Sequence, residues 1–378
     1  MPQPNPALAI ATHFADLKDF RIDRTRLHNF LDIITISIVA VICGAEGWLD
    51  IAAYGHAKHD WLKTFLPLPN GIPSHDTFRR VFCLLDPHAF QKCFQRWIDA
   101  LSAGLGLKRI AIDGKTLRGS AGRSEGKTAL HLVSAWATEQ HLVLGQVAVD
   151  AKSNEITAIP KLLELLDVSG AIVSIDAMGC QKEIAAKIRA AGADYVLSVK
   201  DNQPHLLEDI QLSFAQGFET AFANLQCSYH QEVYTGHGRL ERHSVYTILH
   251  PETIRDAALW RDLKAITLVV SETEVAGKET TTEARYYIGS KVAKAKAYAG
   301  YVRSHWGIES GLHWVLDVCF DEDGCRMRTD HSAENMALLR RLALCLLKRH
   351  KAKGSVRGKR LKSGWSDDFV VDVLRSNQ

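Results

Sequence analysis

The sequence predicts an α/β protein, a mixed sheet flanked by helices, with a helical domain before it and a β-rich insertion within it. Three observations carry this expectation. Residues 1 to about 100 show helical patterning and no strand-like run. From residue 109 short apolar runs bounded by turn residues alternate with amphipathic stretches. Residues 201–290 then hold a second group of strand-like runs with glycines between them.

Taken in order, residues 26–43 have the length and apolarity of a core helix, and 48–54 and 61–65 are short amphipathic pieces. Ser74, after Pro73, is a good N-cap for a helix that projects Arg79 and Arg80. This segment is similar to the second helix of a helix-turn-helix unit, which makes both arginines candidate DNA contacts; an ordinary capped helix with exposed arginines is the alternative. Residues 90–101 form another helix. Strands follow at 109–113, 130–137 and 142–149, then a helix at 156–166, a strand at 171–176, a helix at 181–191 and a strand at 195–199. The insertion has strands at 245–249, 265–271 and 284–289, with Gly236, Gly238 and Gly277 at turns. Helices at 294–316 and 335–348 complete the pattern. The expected domains are a helical, DNA-binding domain over 1–105, core segments over 106–200 and 291–347, the insertion over 201–290, and a basic tail over 348–378.

The 378 residues exceed one ordinary domain, and an apolar share of 46% is ample for a packed core. Charged residues at 24% exclude global disorder, and a net charge of +3 says nothing about partners by itself. Its distribution says more: residues 348–362 hold eight Lys or Arg and no acid, a tail suited to a polyanion or simply to solvent. The eight cysteines are scattered without a Cys-x-x-Cys pair, so reduced thiols and a cytoplasmic setting are expected rather than a zinc ribbon. The start lacks a basic region followed by an apolar block, so no signal peptide is expected. The most apolar run, 33–43, is far shorter than the about 20 residues of a spanning helix, so no membrane partner is expected.

Three acids have distinctive settings. Asp113 ends the apolar run 110–112 and is followed by Gly114, which admits close approach, and by Lys115 and Arg118. Asp176 ends a second such run, 171–175. Glu309 lies on the helix 294–316, in an i, i+4 row with His305, His313 and Asp317, of which only adjacent members reach one another. Apolar residues nearly all round, among them Trp306, Ile308, Leu312 and Trp314, imply that this helix is mostly buried, and a buried carboxylate needs a metal or a protonated histidine. Two strand-end carboxylates and one helical carboxylate can hold two divalent metals for phosphodiester chemistry. The glycine-flanked loop at 236–243, with His237, Arg239 and Arg242, suits phosphate contact or a polar hairpin. Lys200 and Asn202 follow a strand and either position a DNA end or cap the next helix. The stretch 122–128 fails as a phosphate-binding P-loop, because Ala121 stands where the first glycine belongs. His305, His313, Cys319 and Cys325 fit no standard zinc spacing.

The segments Ile112-Asp113-Gly-Lys-Thr-Leu-Arg-Gly, Ser174-Ile-Asp176-Ala-Met-Gly-Cys-Gln, Lys200-Asp-Asn-Gln, Gly236-His-Gly-Arg-Leu-Glu-Arg and the run from Val302 through Glu309 to Val318 resemble a bacterial insertion-sequence transposase of the DDE type, in the branch of the H-repeat-associated proteins. The resemblance covers about residues 15–350. It implies a ribonuclease-H-like catalytic core with a β insertion before the final acidic helix, and the triad Asp113, Asp176 and Glu309. It implies two Mg²⁺ ions, with Mn²⁺ able to substitute, and transfer of a 3′-OH from the element end to target DNA. The partners would be double-stranded DNA with terminal inverted repeats, target DNA and a second copy of the chain on DNA, in the bacterial cytoplasm at the nucleoid. The Tyr-Arg-Glu-Lys signature of the wider group is altered: His305 stands for the Arg and Leu316 for the Lys, with Arg303 and His305 as substitute phosphate contacts. A catalytically inactive DNA-binding relative and a metal-dependent nuclease without joining activity are the alternatives.

Overall fold

The computed structural model describes residues 6–122, 128–149, 154–236, 238–275 and 277–375. The N-terminal region is helical: α1 (Pro6–Phe14), α2 (Phe30–Ile42), α3 (Trp48–Ala57), α4 (His59–Lys63), α5 (His75–Leu84) and α6 (Pro87–Ser102). α2 is apolar on every side and is buried along almost its whole length, as its composition requires. Ser74 caps α5 by accepting from the Thr77 amide, while Phe78, Val81 and Phe82 turn inward and leave Arg79 and Arg80 exposed.

Nine strands form one sheet: β1 (Arg109–Leu117), β2 (Leu130–Ala137), β3 (Leu142–Ala148), β4 (Ile172–Ile175), β5 (Asp194–Val199), β6 (Gln226–Gly236), β7 (Arg239–Leu249), β8 (Ala265–Val275) and β9 (Thr281–Gly289), in the order β3-β2-β1-β4-β5-β9-β8-β7-β6. β1, β4 and β5 are parallel, and β1–β2 and β2–β3 are antiparallel. The segment β3-β2-β1-β4-β5 is the ribonuclease-H-like arrangement. The crossovers are α7 (Glu155–Glu164) and α8 (Lys182–Ala190).

The region 201–290 departs from a purely β insertion. It opens with α9 (Pro204–Glu219), whose Leu206, Ile210 and Phe214 are buried at helical spacing. Its strands do not form a separate sheet, because β9 pairs antiparallel with β5 from Val196↔Gly289 to Val199↔Tyr286 and so continues the main sheet. Past Tyr286, β6–β9 run on beyond the end of β5 as a ribbon of hairpins.

The helix expected over 294–316 is three pieces: α10 (Ala295–Ile308), a π-helical segment Glu309–His313 and α11 (Trp314–Phe320). α10 lies against β1 and β4 and reaches β6, β7 and β8. Gly311 of the π segment rests on Trp136, whereas α7 covers Gly145, the partner of the adjacent Ala135. Adjacent strand residues point to opposite faces, so α10 and α7 cover opposite sides of the sheet.

α12 (Ser332–Arg349) runs through the centre of the N-terminal helices and is followed by α13 (Val356–Trp365) and α14 (Asp367–Arg375). The expected basic tail is therefore corrected over its described part. Lys359 and Arg360 are buried: the Lys359 ammonium donates to the Leu347 and His350 carbonyls, and the Arg360 guanidinium donates to the carbonyls of Val41, Ala45 and Cys319. These carbonyls lie near the ends of α2, α11 and α12, where intrahelical donors run out. Arg357 and Lys353 remain exposed.

Candidate catalytic site

Asp113 is not the last residue of its strand. It is the fifth of nine residues in β1, which continues to Leu117 against β2 alone. Its parallel neighbour β4 stops at Ile175, level with Ile112, so Asp113 stands where one side of the strand loses its partner. Asp176 follows that last β4 residue directly and so sits beside Asp113. Backbone donors fix both carboxylates. Asp113 Oδ1 accepts from the Gly114 amide at 2.9 Å, and Asp176 Oδ1 accepts from Met178 and Gly179 at 3.2 and 3.4 Å.

Burial, aided by the charges of Asp176, Glu155 and Glu309, pushes the Asp113 carboxyl up to about 7. Asp176 is raised by burial and by Glu155, against the pull of its backbone donors and of Lys200. The three expected acids thus share one region, and Lys200 reaches it from the end of β5. Asn202 and Gln203 donate to the carbonyls of Ala177 and Cys180 at 2.7 and 2.9 Å, so this motif ties down the loop that carries Asp176.

Glu309 differs from its expectation. It is exposed, and Trp306 and Trp314 are 40% and 60% exposed, so its helix is buried on one side only. The Trp314 amide donates to the Glu309 carbonyl, a five-residue span that opens the helix at the acid itself. The extra residue breaks the i, i+4 row. His313 turns to Asp113, with Nδ1 3.5 Å from Oδ2. His305 turns inward to Ser174 of β4 at 3.2 Å, and burial lowers it to about 4. His305 is thus half-buried and engaged with β4 through Ser174, which argues against the phosphate contact expected of it.

Lys115 is also corrected. Its side chain is 8% exposed and its ammonium lies 2.7 Å from Asp317 and 3.2 Å from Asp323, so it joins β1 to α11 and the loop after it. Arg118 is open to solvent beside Asp323, at 3.5 Å. Arg303 stacks over Tyr234 at 4.2 Å and pairs with Glu232, which fastens α10 to β6. Arg239 and Arg242 lie near the tip of the β6–β7 hairpin, paired with Glu241 and Glu272 at 2.7 and 3.1 Å. His237 lies outside the described residues. Arg79 pairs with Asp76 at 3.3 Å, on a surface of the helical domain.

The sequence reading missed a fourth acid, Glu155, the first residue of α7. Its Oε1 lies 2.7 Å from His131 Nε2, and the far ring nitrogen of His131 lies 2.8 Å from Thr116 Oγ1. The signal available was weak: an Asn-Glu pair at a helix start.

Carboxylate oxygens are suitable donors for Mg²⁺ or Mn²⁺, and a carboxyl raised by burial and, to a lesser degree, by acidic neighbours is favoured in its charged form by a nearby cation. The donor set fits such ions in kind. Among the described residues, however, no three acidic, histidine or cysteine side chains already converge to metal-binding distance.

The strand order defines a ribonuclease-H-like sheet, with Asp113 and Asp176 side by side where β4 stops beside β1. The family described as "Transposase DDE domain" matches residues 104–346, and "DDE_Tnp_1-associated" matches residues 11–98. The chain belongs to this transposase family. It is 39% identical to "Putative transposase YncI" of Escherichia coli O157:H7, over 97% of this chain and 95% of that one. It is 38% identical to "H repeat-associated putative transposase YhhI" of Escherichia coli strain K12, over 96% of each. Among solved structures it is similar to a chain of a piggyBac transposase synaptic complex with hairpin DNA, with a TM-score of 0.46 and 11% identity over 98% of this chain and 81% of that one.

Proposed function

We propose that this chain is an active DNA transposase that cuts the ends of its insertion sequence and joins the freed 3′-OH to target DNA. What supports the reading is the side-by-side position of Asp113 and Asp176 where β1 loses its parallel neighbour β4, with the Glu309 charge felt at Asp113, in a ribonuclease-H-like sheet of a chain of the transposase family. These three acids would hold two Mg²⁺ ions, or Mn²⁺ in their place. When bound, the ions supply positive charge that activates water and stabilises the leaving 3′ oxygen.

The chain's own residues then position and exclude. The backbone amides of Gly114, Met178 and Gly179 orient the two aspartates, and Asn202 and Gln203 hold the Asp176 loop in place. Lys200 is the cation beside the acids suited to a phosphate of the cleaved strand. The exposed Arg118, Arg79 and Arg80, together with Arg239 and Arg242 of the hairpin tip, are the remaining candidates for backbone phosphates of double-stranded DNA. The substrate ends would be terminal inverted repeats, processed together by a homodimer on DNA, in the bacterial cytoplasm at the nucleoid.

The test is Mg²⁺-dependent nicking of the cognate element ends, followed by strand transfer with pre-cut ends. Asp113→Ala and Asp176→Ala should abolish both; full activity in either variant sinks the assignment. Cleavage without joining would instead mark a nuclease. The second reading is a relative that binds DNA without cutting it. The exposed, partnerless setting of Glu309 among the described residues favours that reading, and metal-independent binding without nicking would establish it.

A further inference from the structure

We propose that β6, the outer edge of the sheet, is the surface on which two copies of this chain pair in solution, strand against strand about a twofold axis at Gln231. The inference rests on the reading of a homodimer on DNA for the purpose of the dimer, though not for its formation.

Four observations carry it. First, β6 ends the sheet, and nothing pairs with its outer side among the described residues. The other end of the sheet is covered: β3 is buried through most of its length, and the Val143 amide donates to Cys345 of α12. Second, the β6 edge is long and regular. Its eleven residues pair with β7 from Gln226↔Leu249 to Gly236↔Arg239 without a bulge. Its sequence holds no Lys and no Pro, the residues that commonly keep an edge from meeting a second strand.

Third, the free backbone groups and the uncovered side chains belong to the same residues. The β7–β8 ladder runs on to the His250 amide and the Lys264 carbonyl at 2.8 Å, so the even-numbered residues of β7 bond to β8 and its odd-numbered residues to β6. Through the β6–β7 register, the even-numbered residues of β6 face β7, and Tyr229, Gln231, Val233 and Thr235 aim their amides and carbonyls outward. Side chains alternate in step. Ser228 accepts from the Ala295 amide, and Glu232 and Tyr234 meet Arg303, so the even-numbered row lies on the α10 face. Tyr229 and Val233 are 53% and 52% exposed on the opposite face.

Fourth, the strand is complementary to itself. Antiparallel pairing about Gln231 is the one register that uses all eleven residues. It sets Tyr229 against Val233 of the second copy, an aromatic ring against a β-branched residue, and His230 against Glu232. Gln231 meets its own amide, which both donates and accepts. Moving the axis to Glu232 or to His230 would set like residues of one charge type against each other, which disfavours both registers. Each facing pair of odd-numbered residues would exchange two backbone hydrogen bonds. The two nine-stranded sheets would become one, with both α10 helices on the same side. An edge that met DNA would carry cations, whereas the outward row of β6 is uncharged.

The test uses the full chain without DNA, followed by sedimentation equilibrium. Wild type should pass from monomer to dimer between about 1 µM and about 1 mM, the strength of a small interface. Gln231→Pro removes an outward amide and leaves the β6–β7 ladder whole, and it should weaken the dimer by about tenfold or more. Val233→Lys should do the same from the side-chain row. Gln231→Cys should give a disulfide-linked dimer under mild oxidation, above the wild-type background, because facing residues of this kind have Cα atoms about 5.5 Å apart. Val233→Cys, which faces Tyr229, should not. A wild type that stays monomeric over this range overturns the inference, as does a dimer that Gln231→Pro and Val233→Lys both leave unchanged. Should either variant fail to fold, Gln231→Cys that cross-links no more than wild type overturns it. Lower DNA affinity in both variants with association unmoved would assign the edge to DNA instead. Mg²⁺-dependent nicking of the element ends is read apart from association. A wild type that dimerises through β6 without nicking sinks the proposed function and leaves the inference standing; a monomeric wild type that nicks does the reverse.

Discussion

His313 Nδ1 stands 3.5 Å from Asp113 Oδ2, and burial displaces the two groups in opposite directions: the imidazole down to about 3, the carboxyl up to about 7. Near neutrality this is a contact between an uncharged ring and a carboxyl that still competes for its proton. A protonated histidine does not compensate the acids here.

A dependence of stability on pH follows. From the ordinary carboxyl value of 3.8 up to about 7, the folded chain keeps a proton on Asp113 that the unfolded chain has released, so this group lowers stability as pH rises through that window. His313 and His305 act oppositely. The unfolded chain takes up protons near 6.5, while the folded chain refuses them until about 3 and 4, so stability is lost as pH falls through that range. In the absence of divalent cations, Asp113→Asn should be more stable than wild type, by a margin that widens from pH 4 to pH 7 to on the order of a few kcal/mol. Urea denaturation across that range measures it, and a margin independent of pH would contradict the burial of this carboxyl.

Lys115 is held between Asp317 and Asp323 with little solvent access. Lys115→Met should destabilise the fold by about 1–3 kcal/mol, because Asp317 loses its cation and Asp323 keeps only the solvent-exposed Arg118. Its DNA affinity, measured well below Tm on folded protein, should stay near wild type. A large loss of affinity in folded Lys115→Met would restore its role as a phosphate contact.

Arg360 donates to three carbonyls from two separate helical regions and covers the Phe320 ring at 4.2 Å. Arg360→Ala should cost about 3–5 kcal/mol in chemical denaturation, since buried acceptors lose their donor. Arg357→Ala, at an exposed position of the same helix, should change stability by less than about 0.5 kcal/mol. Equal effects of the two substitutions would refute the division of this basic segment into buried and solvated members.

Glu309 is exposed, so Glu309→Gln should leave stability within about 0.5 kcal/mol. Nicking of element ends should fall by about 100-fold or more, the scale of losing one charge-stabilising group. Retained nicking would move the third acidic role to another residue.

Much of the sheet was legible in the sequence because β2, β3, β4 and β5 are short apolar runs between turns. The length of β1 was not, since Gly114, Lys115 and Thr116 interrupt the apolar run that precedes Asp113. β6 was missed because it is an edge strand of alternating polar residues, half exposed along its length. α9 had a readable 3.6-residue period in Leu206, Ile210 and Phe214, but it was subsumed in the strand-rich region around it. Asp113 and Asp176 announced themselves by the apolar runs before them. Glu155 could not, because its partner His131 is 24 residues away and the contact depends on strand register. The burial of Lys359 and Arg360 was equally hidden, because Lys359 folds back on the end of α12 and the carbonyls that Arg360 satisfies lie at the ends of α2 and α11.

The β5–β9 ladder has a bearing on how this protein can be dissected. A region joined to its host by two peptide links can be excised as a module; one joined by a ladder from Val196 to Val199 cannot. Cutting out residues 201–290 would strip β5 of its neighbour and leave an open edge of unpaired amides and carbonyls, a template for intermolecular pairing. It would also uncover the part of α10 that rests on β6, β7 and β8. A shortened chain of this kind should come out of the ribosome as a sticky, self-associating species rather than as a minimal catalytic core.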